Sequence, residues 1–437
     1  MKAFLTIGAS ALALIASPLA AQDIIITNAT VVTGDGSEPV EGGVVVIEGG
    51  KVVSAGPAGG TSFETDTLID AGGAYVTPGI FATVTTLGLW DVGAVTESND
   101  SRAGGSPFSA ALDTAPIVNP DSQHIKIHRA AGITRAATTT NPSGSIFAGQ
   151  GAIIDLGADG EPITKAKAFQ MVDLGEGGAR RAGGSRASTY TLFRASLREA
   201  QASIGSRGTT QTTEITKDDE VLLSRFDAEA LIPVVRGQQK LLINVERAAD
   251  IRSALKLKGE FSRLDIVLVG ASEGWLVANE IAASGVPVIA DGLDDLPETF
   301  AELAATQSNL GRMVNAGVKV AINAGAMEDP RRLPQYAGNL VALTKVPGAT
   351  GLSWGQAFAA ISSVPAAISG MDGKAGVLKP GALGDVVIWD GDPLELGSVP
   401  TRVFISGVEQ PLDNHQSRLK ERYRDLDESN LPKAYDW

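Results

Sequence analysis

Only three histidines occur in the 437 residues, His124, His128 and His415, and two of them stand four apart. That spacing puts both imidazoles on one face of a helix, where they could clasp a metal ion. The plainer account is a solvated helix flank after the start signal Asn119-Pro120-Asp121, since no third ligand is close in sequence. Gly270-Ala271-Ser272-Glu273-Gly274 has the Gly-x-Ser-x-Gly form of a nucleophile elbow. It lies between an apolar run and a helical pattern, with His415 downstream, as a serine hydrolase requires; the same stretch also reads as an ordinary strand and its loop. Glu246 beside Arg247 and Asp250 could be an acid/base group next to an ion pair, or a brace for the loop. Asp291, Asp294 and Asp295 follow the apolar run 286–290, where carboxylates could act at a strand's C-terminal end or simply form a turn and a helix cap.

The elements that must position these groups change character along the chain. Residues 24–26, 31–32, 43–48 and 51–53 are β-branched runs between Gly-rich turns, which predicts a small antiparallel β unit. From Pro78 apolar strand-like runs at 230–235, 241–245, 265–269, 286–290 and 318–322 alternate with helical patterns at 247–257, 276–283 and 298–305, the βαβα signature of a parallel sheet or barrel. Strands return at 385–389 and 402–406. The Gly-, Arg- and Ser-rich stretch 175–188 fits no period and is expected to be a loop. Residues 416–437 form a charged tail, read as an exposed helix or arm.

Composition narrows the function. Lys and Arg number 36 against 50 Asp and Glu, a formal charge of −14, so a nucleic-acid partner is not expected. Met1-Lys2, an apolar run over residues 4–19 and Ala20-Ala21 read as a cleavable signal peptide, implying a periplasmic or secreted protein. No later apolar stretch approaches the length of a membrane span. With no Cys, neither disulfides nor thiolate metal ligands are available.

Three blocks carry a family resemblance. Tyr75-Val76-Thr77-Pro78-Gly79-Ile80-Phe81-Ala82-Thr83-Val84-Thr85-Thr86-Leu87-Gly88 is similar to a strand-one motif that normally contains His-x-His. Residues 376–393, from Gly376-Val377-Leu378-Lys379-Pro380-Gly381 to Asp392-Pro393, are similar to a return into a β-sandwich, and residues 230–251 to the surroundings of a strand-five ligand. Together they resemble the amidohydrolase superfamily, in particular its imidazolonepropionase-like members.

The resemblance implies an α/β fold: a (β/α)8 TIM-like barrel over 78–374, a composite β-sandwich from 23–77 plus 375–415, a signal peptide over 1–21 and a tail over 416–437. It implies hydrolysis of non-peptide C–N bonds in amides or cyclic amides, with zinc or another divalent metal at the barrel mouth. At the positions matching the family's ligands the chain has Val84 and Thr86 for His-x-His, Asn244 for strand five, Gly270 for strand six and Gly325 for strand eight. A catalytic zinc site needs about three protein ligands, commonly imidazoles, and this chain has too few histidines, with His124 and His128 preceding strand five. No metal or other cofactor is therefore expected. The site becomes a pocket with Glu246 and Asp291 as its candidate acid/base residues. The alternative function is a catalytically inactive relative, a binding module for a small molecule or a partner of an intact amidohydrolase, in a homo-oligomer or mixed complex.

Overall fold

The computed structural model describes residues 21–59, 67–204, 222–325 and 329–424. All but the last residue of the expected signal peptide, and residues 425–437 of the tail, lie outside them. The chain opens with β1 (Ile24–Val31), β2 (Val40–Glu48), β3 (Lys51–Pro57), β4 (Thr67–Asp70) and β5 (Tyr75–Pro78). A second set follows: β6 (Ile80–Thr85), α1 (Gln123–Ala130), β7 (Ile133–Thr138), β8 (Phe147–Asp155), β9 (Ile163–Asp173), α2 (Glu176–Arg181), α3 (Arg186–Ala202), α4 (Arg225–Val235), β10 (Lys240–Val245) and α5 (Ala248–Glu260). It continues through β11 (Ile266–Gly270), α6 (Ala278–Ser284), β12 (Val288–Ala290), α7 (Asn309–Asn315), β13 (Val320–Ile322), α8 (Leu333–Ala342), α9 (Trp354–Ala359) and α10 (Ser363–Ile368). The chain then returns in β14 (Val386–Trp389), β15 (Pro400–Ile405) and β16 (Val408–Glu409) and ends in α11 (His415–Arg422).

The two ends share one hydrogen-bonded sheet, ordered β16-β15-β14-β5-β1-β2-β3 with β4 alongside β1. Its join is the antiparallel pair β5–β14, where Thr77 faces Val387. The middle of the chain forms a second eight-stranded sheet in order β6 to β13, curled into a nearly closed TIM-like barrel. Strand alternation sorts its side chains: Leu242, Val267, Val269, Ile289 and Ala321 fill the barrel, while Ile243, Leu268, Val288 and Val320 face the helices. Helix α5 answers with Ile251, Ala254 and Leu257, buried at helical spacing. The seam between β6 and β13 is bridged by the Thr83 hydroxyl, which donates to the Ile322 carbonyl at 3.2 Å. The Ala360-Ile361 backbone serves both strands there, its carbonyls accepting from Ile322 and Phe81.

One strand departs from the (β/α)8 pattern. β8 runs antiparallel to both neighbours, because residues 139–146 and 156–162 are too short to carry a crossover helix, and a short connection can only return the chain antiparallel.

Three local expectations are corrected. Residues 230–235, expected as a strand, lie in α4, capped by Ser224, whose side chain accepts from Asp227 N–H. A short apolar run fits a buried helix as well as a buried strand, and here the apolar residues on both sides of Pro233 pack beneath the barrel wall. Residues 298–305, expected as a helix, are turns, since Thr299 bonds to Glu302 and to Ala301 N–H and so competes with helical pairing. The expected loop 175–188 is largely helical: α2 begins just after Asp173, and Ser185 caps α3. Glycine is required there, because a Cβ on Gly178 would stand 1.9 Å from the Asp173 carbonyl oxygen.

Barrel and terminal sheet are tied by a buried ion pair. Arg135 on β7 donates from Nε to Asp385 Oδ2 at 2.6 Å, and its Nη2 reaches Ser406 Oγ at 3.1 Å.

Candidate functional site

The barrel strands that run parallel end at one mouth, and each places a polar or small residue there. β10 leads into Glu246, whose carboxylate Oε2 accepts from Ser272 N–H at 3.1 Å and Ser272 Oγ at 2.9 Å. β11 ends at Gly270, with φ +84°, followed by Ala271 at φ +53°. That left-handed pair turns the chain sharply and delivers the Ser272 donors to Glu246; alanine in this region is strained, and glycine is not. A Cβ on Gly270 would lie 1.9 Å from Glu246 Oε1. β12 leads into Asp291, which accepts at Oδ1 from Asn323 Nδ2 at 2.7 Å across the mouth. Asn323 follows β13 and also holds Gly325, accepting its N–H at 2.9 Å. β9 ends at Asp173, locked by Gly175 N–H and by Arg181 Nη1 at 2.7 Å.

The electrostatics are one-sided. Burial pushes Glu246 up to about 8, and the neighbouring Asp291 charge adds to the rise against the Ser272 bonds. Burial likewise pushes Asp291 up to about 7, helped by Asp294 and opposed by the Asn323 hydrogen bond. Asp294 is raised too, by burial and by Glu302 and Glu298. Two carboxyls that resist ionising near neutrality can give or take a proton there.

Strand β6 carries the opposite wall. Val84 sits at φ +52°, an outlying conformation for a β-branched residue, and a Cβ on Gly325 would meet its carbonyl oxygen at 2.4 Å. Thr86 accepts from Trp90 Nε1 at 2.9 Å.

This architecture has relatives. The profile of the amidohydrolase family matches residues 277–402. Amidohydrolase tasK of Hapsidospora irregularis is 40% identical over 60 residues, 14% of this chain and 6% of that protein. The amidohydrolase from Thermotoga maritima MSB8 superposes with a TM-score of 0.75 at 22% identity, over 88% of this chain and 99% of that one. The chain shares the amidohydrolase barrel fold. A zinc-bound adenosine deaminase from Xanthomonas campestris shares the fold at a TM-score of 0.52 and 14% identity, covering 92% of this chain and 97% of that one.

Set in amidohydrolase order, β6 is strand one and β13 strand eight, and the strand ends present Val84, Thr86, Asn244, Gly270 and Asn323. Gly325, expected at the strand-eight position, lies two residues past Asn323, which is the side chain aimed into the mouth. Glu246 and Asp291, expected as candidates from separate segments, come close enough to act on each other's charge. Among the described residues no group of three or more His, Asp or Glu is disposed to hold a metal ion. Ser272 is buried and its hydroxyl is committed to Glu246, with no histidine among its partners, so the nucleophile-elbow reading finds no base of the expected kind. Arg247 braces its loop, donating to Asp250 Oδ1 at 2.9 Å, while Arg186 holds Oδ2 at 2.7 Å.

His124 and His128 correct the reading of a solvated flank. Both sit on α1 against the strand-one side of the mouth, and His128 is 3% exposed. His124 packs against Trp90 with centroids 3.8 Å apart and the rings tilted by 42°, and its Nε2 meets the Asp91 carbonyl at 3.0 Å. Burial lowers the His124 pKa, against the Asp91 carbonyl, which raises it. His128 Nδ1 meets the His124 carbonyl at 2.6 Å, and Nε2 lies 3.0 Å from Asp329 Oδ1. Burial works to raise Asp329, but His128 and Arg331 pull it well below the usual carboxylate range. These groups line a cavity of about 360 Å3 that also takes in Val84, Thr86 and Gly325. Asp329 and Arg331 had no motif to announce them; Trp90 lies in the loop that follows the strand-one block and resembles the family's pocket wall there, and the helical spacing of the two histidines was the other signal.

Proposed function

We propose that this amidohydrolase-fold protein is a metal-independent member of its superfamily whose barrel mouth binds a small molecule, as an exported binding module or the non-catalytic partner of an intact amidohydrolase. One observation carries this reading: the Glu246 carboxylate stands over Gly270, in the space a strand-six ligand side chain would need. Val84 and Gly270 have no atom to offer zinc, and Asn244 and Asn323 offer only amides, so this set does not fit the family's divalent metal. The signal-like residues 1–21 support export. The test is a chelator: the melting temperature and ligand affinity of the purified chain are expected to be unchanged by 1,10-phenanthroline. A marked fall in either contradicts the reading, because a bound metal stabilises the folded state.

A second reading keeps hydrolysis of non-peptide C–N bonds without metal, with Glu246 and Asp291 as acid and base. It is favoured by the raised affinity of both carboxyls for protons. A panel of N-acyl amino acids and cyclic amides, assayed with Glu246→Gln as control, separates the two: turnover lost in the variant supports this reading.

A further inference from the structure

The cavity between α1 and the β6–β13 seam has a consistent chemistry. Its one carboxylate is already engaged. Asp329, its carboxylate, takes Arg331 N–H, Nε and Nη2 and faces His128 Nε2. The Trp90 indole N–H is taken by Thr86 Oγ1. Several donors are left over. Arg331 has five N–H groups; Nε and one on Nη2 serve Asp329 and one on Nη1 serves Gln416 Oε1 at 2.6 Å, leaving one on each terminal nitrogen. Among the described residues the Thr86 hydroxyl accepts from Trp90 and donates to nothing, and the Asn141 side-chain amide makes no hydrogen bond. The remaining wall is made by the packed Trp90 and His124 rings, tilted by 42°, with Leu87 and Ile127. Val84, in its strained conformation, closes the floor, and strain of this kind is retained where surrounding structure enforces a local geometry.

We propose that this cavity binds a small organic carboxylate with a flat ring, its oxygens received by Arg331, Thr86 and Asn141 and its ring laid against Trp90 and His124. A guanidinium with a spare N–H on each terminal nitrogen suits a carboxylate better than an amine, and about 360 Å3 suits a ligand of that size. The inference rests on the metal-free reading above and names the ligand class of that site.

The probe is benzoate, with benzamide and benzylammonium as isosteres, titrated calorimetrically into the full chain at neutral pH. One benzoate per chain is expected, with benzamide at least tenfold weaker and benzylammonium not bound. Thr86→Val, which removes the hydroxyl, and Asn141→Ala, which removes the amide, should each weaken benzoate several-fold and do so further when combined; Asn141→Ala should leave the melting temperature in place, whereas Thr86→Val also frees the Trp90 N–H and lowers it slightly. The inference is overturned if benzoate does not bind, if benzylammonium binds as well, or if the double variant binds benzoate like the parent. Metal content, measured on the same sample, keeps the two proposals apart: a metal-free chain that ignores benzoate sinks only this one, and a stoichiometric metal sinks the reading beneath it.

Discussion

Glu246 and Gly270 occupy one another's space: a Cβ on residue 270 would lie 1.9 Å from Glu246 Oε1 and 2.4 Å from Oε2. The carboxylate is held there by two donors of Ser272, so it cannot step aside without losing both. At a backbone φ of +84° any side chain is strained as well. Gly270→Ala is therefore expected to destabilise the fold by about 2–4 kcal/mol, combining overpacking and backbone strain. Chemical denaturation measures it. Gly270→Ala combined with Glu246→Ala should recover part of the loss, since the collision is then removed, whereas simple additivity would show that the two residues do not compete.

Stability should depend on pH through the same pair. Glu246 is raised from 4.5 to about 8 in the folded chain, so its contribution is fully present below about pH 4.5 and disappears as pH rises through about 8. Asp291, raised from 3.8 to about 7, acts in the same direction. Glu246→Gln, which is neutral at every pH, should flatten the fall in melting temperature between pH 5 and 8. An unchanged slope in the variant would mean that Glu246 ionises at its ordinary value.

Much of the fold could be read from the chain, and the reasons are physical. Runs such as Leu241–Val245 and Ile266–Val269 alternate between the barrel interior and the helix layer, and the β-branched ends of the chain pair only with each other. What could not be read was decided by contacts far apart in sequence. The antiparallel β8 follows from connection length, and α4 hides its identity in a run apolar on every side. At the site, Glu246 and Asp291 were visible as carboxylates after strands, but their mutual charge was not. His124 and His128 looked like a helix flank because Trp90, before them, and Asp329, far beyond, supply the burial. Asn323, not Gly325, meets Asp291 across the mouth, because it directly follows β13, which stops at Ile322.

The two sheets depend on Arg135 and Asp385, 3% and 2% exposed. Breaking a buried pair by deleting one member leaves an uncompensated charge, at a cost of about 3–5 kcal/mol. Arg135→Met should lower stability by that order, while Arg135→Met with Asp385→Leu should recover a large share. Two separate unfolding transitions in the single variant would indicate that this pair couples barrel to terminal sheet.

Asp329 joins His128 to Arg331, and its carboxyl is held ionised well below the ordinary range. A group with a depressed pKa stabilises the fold above its unfolded value and loses that contribution as pH falls through the folded one. Asp329→Asn should therefore reduce stability at neutral pH more than in strong acid. Equal losses at pH 7 and pH 2, read from urea midpoints, would contradict the arrangement.

The central claim is that the barrel mouth works without metal. Elemental mass spectrometry of the purified chain, loaded with zinc, manganese or magnesium and then exhaustively exchanged, tests it most directly. The account predicts well under one ion per chain for each metal. Near-stoichiometric zinc or manganese, lost on replacing Glu246 or Asp291, would contradict it and return this chain to metal-dependent hydrolysis.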